Sequence, residues 1–163
     1  MTVTQHAQQA QIAADPKVPA VHITRDFRAT PAQLMRAHTD RDLFARWIGP
    51  DSLETEIVEW DCRTLGHYRF AQRRGDEEYW FRGTFPEVGE NRIVQTFCFE
   101  LVPEAIALET MTFEDLGDGR TRLHAVSLCD SFEARDGWLA SGMEVGVNDG
   151  YAAIDAMLAD GTL

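Results

Sequence analysis

A carboxylate in the apolar part of a strand-like segment is the first residue of this sequence whose position suggests chemistry. Glu109 lies in "AIALETMTFEDL", residues 105–116, a composition typical of a β-strand. Because side chains alternate along a strand, Glu109 shares a face with Met111 and Phe113, which favours an inward orientation. Facing inward, it would be the polar group of an apolar pocket, whereas facing outward it would simply be solvated.

The other reactive side chains form no recognisable catalytic group. His67 and His124 are isolated strand histidines without the serine, cysteine or aspartate pattern of a triad. The three cysteines, Cys62, Cys98 and Cys129, form no CxxC pair, which favours reduced thiols. No phosphate-binding loop, dinucleotide-binding fingerprint or HExxH motif occurs. The sequence therefore predicts no catalytic residue, no metal site and no cofactor, and it favours a binding protein over an enzyme.

Length and charge exclude several classes of partner. The chain has 163 residues and a formal net charge of −12, so phosphate backbones and anionic membranes would repel it. No apolar run approaches the ~18 residues of a membrane span, and the N-terminus lacks the regions of a secretory signal. We therefore expect a cytoplasmic protein with no nucleic-acid and no membrane partner. Residues 1–18 are predicted to be a tail, followed by one domain over residues 19–163.

Two short helices are expected after the first strand of this domain. Apolar alternation predicts that strand over residues 20–29. Thr30 is a favourable N-cap and is followed by a proline, so a helix begins at residue 31. A second helix starts near Asp40 and ends at Gly49.

The middle of the chain, residues 53–129, predicts a meander of six strands. Turn signals recur at regular intervals and separate segments that are rich in aromatic and β-branched residues. Consecutive strands joined by tight turns must be antiparallel. This region therefore predicts one antiparallel sheet.

The last part of the chain predicts a short helix or a turn over residues 131–140 and a long helix over residues 141–161. Ser141 and Glu144 have the spacing of a capping box, which would start the long helix. Its apolar half carries glycine at every fourth position (142, 146 and 150), and the two interior glycines cost roughly 2 kcal/mol relative to alanine. Either the glycines let the helix approach a neighbouring segment closely, or the missing side chains leave space above the sheet. Both hold if the helix is seated at one edge and stands off at the other.

The aromatic residues of the sheet predict an apolar pocket beneath the long helix. Phe97 and Phe99 share one strand face, as do Tyr79 and Phe81. A curved sheet around a single helix leaves an apolar hollow, and ligand pockets are lined in this way. Glu109 or Tyr68 would then orient the ligand.

The outer face of the sheet is predicted to carry charges and tryptophans. Arg69 and Arg82 are expected to form an outer charge ladder, with pairing to Glu109 as the alternative. Trp60 and Trp80 alternate out of phase with their apolar neighbours, which places them outward. Exposed aromatic residues there would favour a homodimer.

The order of elements resembles the helix-grip (START/Bet v-like) fold of the SRPBCC superfamily. Three segments in particular, "FRATPAQLMRAHTDRDLFARWIGP" (27–50), "FRGTFPEV" (81–88) and "RDGWLASGMEVGVNDGYAAIDAMLA" (135–159), are similar to the activator of heat shock protein 90 ATPase homologue-like family. The resemblance covers about residues 20–160, although "RTLG" at 63–66 departs from the family's usual Arg-Pro-Gly-Gly. It implies an α+β fold with a curved antiparallel sheet of about seven strands around a long C-terminal helix.

The resemblance also implies a cavity between that helix and the sheet. Its ligand would be a hydrophobic or aromatic small molecule, such as a lipid or a natural product, and Trp47 would flank the mouth. One alternative is a cyclase or hydrolase on the same scaffold. Another is a chaperone- or stress-related interaction module, although residues 1–18 are too few for the additional domain that the eukaryotic namesake uses. The predicted ligand-binding residues are Trp47, Tyr68, Phe70, Phe81, Phe97, Phe99, Glu109, Met111, Phe113, Met143, Val147 and Tyr151.

Overall fold

A computed structural model of the chain describes residues 8–163, and within them it contains four helices and nine strands. The strands are β1 (Gln11–Ala14), β2 (Ala20–Phe27), β3 (Glu54–Trp60), β4 (Gly66–Arg74), β5 (Glu77–Phe85), β6 (Glu87–Val88), β7 (Arg92–Phe99), β8 (Ile106–Gly117) and β9 (Arg120–Leu128). The helices are α1 (Pro31–Thr39), α2 (Arg41–Trp47), α3 (Phe132–Ala140) and α4 (Met143–Ala159).

The strands form one large, curved antiparallel sheet. Its order is β1-β2-β9-β8-β7-β5-β4-β3, with the two-residue β6 paired to β7. Helix α4 packs its buried side chains into the core that the sheet encloses. The predicted helix-grip fold class is confirmed. The structure has two more strands than the predicted seven, because β1 joins the edge and β6 is a short extra segment.

The structure corrects part of the predicted N-terminal tail. Residues of β1 pair with β2, with Ile12 opposite Ile23, so this segment is an edge strand of the sheet. The backbone N–H of Ala10 also donates to Asn148 Oδ1 of α4 at 2.9 Å. The strand was missed because four residues without an alternating apolar pattern carry little signal. Residues 1–7 of the predicted tail lie outside the described residues.

The two short helices begin at the predicted caps. Thr30 accepts a hydrogen bond from the backbone N–H of Gln33, whose side chain in turn accepts from the Thr30 backbone, which completes a capping box. Asp40 caps α2 by accepting from the backbone N–H groups of Asp42 and Leu43. These polar caps fix the start of each helix independently of tertiary contacts.

A β-bulge in β3 overturns the predicted outward orientation of Trp60. The pairing register with β4 shifts between Ile57 and Glu59, so an extra residue interrupts the alternation of faces. Trp60 therefore turns inward, where its ring lies 4.9 Å from that of Phe44 and its Nε1–H donates to the Thr39 carbonyl at 3.0 Å. Strand parity alone could not reveal this change of phase.

The start of α4 differs from the predicted capping box. Gly142 is the N-cap, with a left-handed φ of 83° and no side-chain capping bond, so the helix begins at Met143. Ser141 instead ends α3, and its hydroxyl donates to the Trp138 carbonyl at 2.6 Å. The Ser141 side chain therefore makes its hydrogen bond within α3 and none to the first turn of α4, and glycine tolerates the left-handed turn between the two helices.

Aromatic side chains fill one end of the space between the sheet and the helices. The rings of Phe44, Trp60, Tyr68, Phe70 and Phe85 contact one another, with centroids between 4.9 and 6.2 Å apart. The buried residues of α4 all lie in its C-terminal part: Gly150, Tyr151, Ile154 and Met157. The core is therefore packed tightly beneath the C-terminal part of α4.

An ion pair between a buried guanidinium and a half-exposed carboxylate anchors the same part of α4 to the sheet. Arg25 of β2 is 3% exposed, and its guanidinium donates two hydrogen bonds to the Asp155 carboxylate, at 2.7 and 2.5 Å. Such a bidentate pair compensates for the desolvation of the guanidinium. It fixes the distance between β2 and the C-terminal turns of the helix.

Candidate ligand-binding site

A cavity of about 790 Å³ lies at the opposite end of the sheet from the filled aromatic core. The N-terminal turns of α4, helix α3 and strands β5, β7 and β8 surround it, and it opens to solvent. Its lining is almost entirely apolar. The residues that line it are Pro50, Ser52, Tyr79, Phe81, Phe97, Phe99, Val102, Ala105, Ile106, Ala107, Ser127, Cys129, Asp130, Ala134, Gly137, Trp138, Ser141, Gly142, Met143, Val145 and Gly146.

Four aromatic rings from β5 and β7 form the floor of the cavity. Phe81 stacks against Phe97 at 5.4 Å and against Phe99 at 5.2 Å, and Tyr79 lies 6.3 Å from Phe99. Phe81 also stacks on Phe70, at 5.2 Å, and so connects the floor to the packed core. The rings hold one another in place, which gives a ligand a preformed apolar surface.

Glycines in α4 let the helix sit closely on the end of α2. A Cβ atom at Gly150 would lie 3.0 Å from the Trp47 carbonyl oxygen, and one at Gly146 would lie 3.3 Å from that of Gly49. Close approach therefore explains both interior glycines. Gly146 also lines the cavity, so the helix is seated at one edge and stands off at the other.

A row of three polar residues closes the inner end of the apolar floor. Gln95 of β7, Glu109 of β8 and Ser127 of β9 are directly opposite one another across the sheet. The Glu109 carboxylate accepts from Gln95 Nε2 at 2.9 Å and from Ser127 Oγ at 2.8 Å. Burial raises the pKa of Glu109, and these two hydrogen bonds offset part of that rise. Ser127 lines the cavity, so the carboxylate lies behind a wall residue.

The structure separates the predicted site residues into two groups. Phe81, Phe97, Phe99 and Met143 line the cavity, and Glu109 contacts it through Ser127. The remaining predicted residues pack in or against the core: Trp47, Tyr68, Phe70, Met111, Phe113, Val147 and Tyr151.

Two of the core residues also use their polar atoms internally. Trp47 Nε1–H donates to the Ala37 carbonyl at 2.7 Å, and the Tyr68 hydroxyl donates to the Thr96 carbonyl at 2.7 Å. Neither side chain lies in the cavity lining, so the polar end of the site is the row that contains Glu109.

Helix α3 supplies a wall that the sequence did not indicate. Ala134, Gly137 and Trp138 line the cavity from this side, opposite the aromatic floor. Trp138 is an apolar residue in a short helix, which is the main sequence signal that this helix faces the interior. Gly137 and Ser127 gave no signal, because small residues become part of a lining only through tertiary packing.

The outer face of the sheet carries the predicted charge ladder. Arg69 donates to Glu100 at 2.8 and 3.0 Å, and its guanidinium lies 4.0 Å from the centre of the Trp80 ring. Trp80 therefore lies on the outer face, as predicted, but an arginine covers it. These contacts are surface interactions that contribute little to stability.

A pair of histidines on the outer face was not predicted as a contact. His22 Nδ1 lies 3.1 Å from His124 Nε2, and His22 Nε2 lies 2.8 Å from the Asp15 carboxylate. Hydrogen bonds from the Lys17 backbone and from His22 lower the pKa of Asp15 to about 2. The pairing of β2 with β9 brings these histidines together, and a reading of each strand alone misses it.

Over residues 8–163, no three His, Cys, Asp or Glu side chains are arranged to hold a metal ion. The three thiols are free, and burial raises the pKa of Cys62 to about 11 and also that of Cys129. Thiols with raised pKa values are poor nucleophiles at neutral pH.

None of the helices in the described part of the chain is long and apolar enough to cross a membrane.

Comparison with known proteins gives one family and many related structures. The family profile described as "Activator of Hsp90 ATPase homolog 1-like protein" matches residues 28–159. No curated protein sequence matches the chain. A crystal structure from Rhodobacter sphaeroides has a TM-score of 0.84 at 22% identity, covering 93% of this chain and 99% of its own. Protein Ms6760 from Mycobacterium smegmatis has a TM-score of 0.81 at 23% identity, covering 91% of this chain and 95% of its own.

A more distant structural relative has a described role. The Plasmodium falciparum protein described as an HSP90 activator has a TM-score of 0.52 at 22% identity. The match covers 67% of this chain and 71% of that protein. At this identity the likeness supports a shared fold alone.

Proposed function

Because the chain belongs to the Activator of Hsp90 ATPase homolog 1-like family, we propose that it binds an apolar small molecule in the cavity between α3, α4 and the sheet. A lipid or an aromatic natural product has the size and surface that this space suits. The protein acts as a binder or carrier and not as an enzyme. Its reduced thiols fit a cytoplasmic location.

One observation carries this proposal. The helix and the sheet pack together at one end, and a cavity of about 790 Å³ lies between them at the other. The walls of that space are preformed by stacked rings, so a ligand need not reorganise them. Each methylene group that a ligand buries there contributes about 0.8 kcal/mol. Apolar burial would therefore supply the favourable part of the binding free energy of a small-molecule ligand. The cost of association reduces the net value.

Filling the cavity tests the proposal. The uncharged fluorophore N-phenyl-1-naphthylamine should bind the wild-type protein with increased emission. A Cβ atom at Gly137 would meet no other atom within 4 Å, so the side chain of Gly137→Trp can enter the cavity without a clash at its base. We expect Gly137→Trp to weaken binding at least tenfold, which corresponds to about 1.4 kcal/mol. Gly137→Ala is the matched control, because it also replaces the helical glycine but adds little volume.

A second variant fills the cavity from the β8 side of the sheet. Ala107→Phe adds a ring on the β8 side of the lining and should weaken fluorophore binding in the same way. Circular dichroism confirms that each variant is folded. The proposal is wrong if the folded variants bind as the wild type does, or if the wild type binds neither the fluorophore nor any apolar competitor. Where binding is observed, native mass spectrometry of protein from its own host would identify the natural ligand.

The alternatives lack comparable support. A cyclase or hydrolase needs titratable groups that converge on the ligand, and the described lining has Asp130 and Cys129, whose thiol has a raised pKa. A homodimer would require an exposed apolar surface on the outer face. Arg69 covers the ring of Trp80 there. The exposed apolar side chains on this face include Leu108 and Leu128, which are paired across β8 and β9 and are 41% and 40% exposed. A pull-down with chaperones and a mass measured in solution would detect either form of association.

A further inference from the structure

The charge in the described lining of the cavity is negative. Among the described residues that line it, Asp130 is the one acidic side chain, and no lysine, arginine or histidine is present. Glu109 adds a second carboxylate directly behind Ser127. The whole chain has a formal net charge of −12, which extends the same field over the surface. A ligand with a negative charge would meet no opposite charge in this lining.

Glu109 is a partly buried carboxylate whose hydrogen-bond partners carry no charge. Its two hydrogen bonds come from neutral groups, the amide of Gln95 and the hydroxyl of Ser127. In the described part of the chain, no basic nitrogen lies within 4.0 Å of it. Most buried carboxylates in proteins are paired or neutralised. The raised pKa of Glu109 is the consequence of burial without such a partner.

The floor beside this row is also suited to a positive charge. Phe81 stacks with both Phe97 and Phe99, and all three rings line the cavity. The faces of aromatic rings attract cations. Gln95 and Phe97 lie on the same face of β7, two residues apart. The aromatic floor therefore leads directly to the uncompensated carboxylate.

One feature acts in the opposite direction. The first turn of α4 lies on the cavity, and the N-terminus of a helix carries a partial positive charge that favours anions. However, Glu144 lies in that first turn and places a full negative charge beside it. The net effect at this end of the cavity is therefore small.

We propose that the cavity selects a hydrophobic amine over a neutral or anionic molecule of the same size. The apolar part would lie on the rings of Phe81, Phe97 and Phe99, and the ammonium group would face Ser127 and Glu109. This inference rests on the proposed function, since it names the class of ligand for the same cavity. The ammonium group supplies the positive charge that the Glu109 carboxylate lacks.

Three probes with the same chain test the inference. Dodecylamine, dodecanol and dodecanoate, each below its micelle concentration, are titrated against the bound fluorophore at pH 7.5 in low salt. We expect dodecylamine to compete about tenfold more strongly than dodecanol, because the carboxylate behind Ser127 attracts the ammonium group through the wall, and tenfold corresponds to about 1.4 kcal/mol. Dodecanoate should be the weakest of the three.

A matched pair of variants separates Glu109 from the overall charge. Glu109→Gln removes the carboxylate and should reduce the preference for the amine over the alcohol to about threefold or less. Glu114→Gln removes an identical charge from the exposed outer side of the same strand and should keep the tenfold preference. If Glu109→Gln does not fold, the ranking of the three probes on the wild type decides the question.

The outcomes distinguish this inference from the function on which it rests. Equal binding of amine, alcohol and carboxylate would overturn the amine preference and leave the apolar site in place. If dodecanoate binds most tightly of the three, the N-terminus of α4 is the polar end of the site. That result would also overturn the amine preference. Failure of every probe, including the fluorophore, would remove the proposed function itself.

Discussion

The three helical glycines near the cavity allow a graded test of how α4 is seated. Gly137, Gly146 and Gly150 all lie inside helices, so alanine at each position changes the intrinsic helix propensity by the same amount, about 1 kcal/mol in favour of the fold. They differ in what a new Cβ atom would meet. Differences in stability among the three alanine variants therefore measure the contact that each new Cβ atom makes, because helix propensity contributes equally to all three.

The distances give the expected order. A methyl group at Gly137 meets nothing within 4 Å, so Gly137→Ala should stabilise the protein by about 1 kcal/mol. At Gly146 the methyl group lies 3.3 Å from the Gly49 carbonyl oxygen, which should reduce the gain to about zero. At Gly150 it lies 3.0 Å from the Trp47 carbonyl oxygen and 3.2 Å from its ring, both part of a packed helix. Overpacking of this kind costs about 2 kcal/mol, so Gly150→Ala should destabilise by about 1 kcal/mol.

Urea denaturation followed by circular dichroism measures the series. The free energy of unfolding should rank Gly137→Ala above wild type and Gly146→Ala, with Gly150→Ala lowest. Equal slopes with denaturant would show that only stability changes. If Gly150→Ala stabilises the protein as much as Gly137→Ala does, then α4 is not seated against Trp47 and the account of the glycines fails.

Two further predictions concern ionisable side chains in the interior, His38 and Arg25. Burial lowers the pKa of His38 to about 4 from 6.5, so the neutral form is favoured in the fold; the free energy of unfolding should fall by about 3 kcal/mol as the pH falls from 6.5 to 4. Denaturation at several pH values should show that the free energy of unfolding of His38→Leu falls less with decreasing pH than that of the wild type. Identical pH profiles for the two proteins would contradict the lowered pKa of His38. Asp155→Ala should cost about 2 kcal/mol, because it removes the charged partner of the buried Arg25 guanidinium, which keeps its hydrogen bond to the Gln8 carbonyl. The double variant Arg25→Met, Asp155→Ala should recover much of that loss in the same assay, and additive losses would argue against the pair.

Local signals made most of the fold predictable. The caps at Thr30 and Asp40 and the hairpin turns act over a few residues, and they fixed the main elements from β2 to β9 in the right order. The β3 bulge was not predictable, because one additional residue between Ile57 and Glu59 leaves no mark in composition. The β1 strand was missed for a similar reason: it is held by pairing with β2 and not by a pattern of its own.

The site was only partly predictable, since periodicity identifies a face but not a position along it. Phe81, Phe97 and Phe99 were placed on the correct side of the sheet, as were Phe70 and Tyr68. The first three lie where the helix stands off and the other two where it is seated. That difference depends on where α2 and α3 meet α4, which is set by tertiary packing.

The division of α4 into a packed C-terminal part and an open N-terminal part separates two kinds of selection. Substitutions at Met143 or Val145 would alter which molecules are accepted, while the ion pair of Arg25 and the buried residues from Gly150 onward keep the domain folded. A laboratory evolution campaign for new specificities should accordingly randomise the first turn of this helix and leave its last three turns untouched.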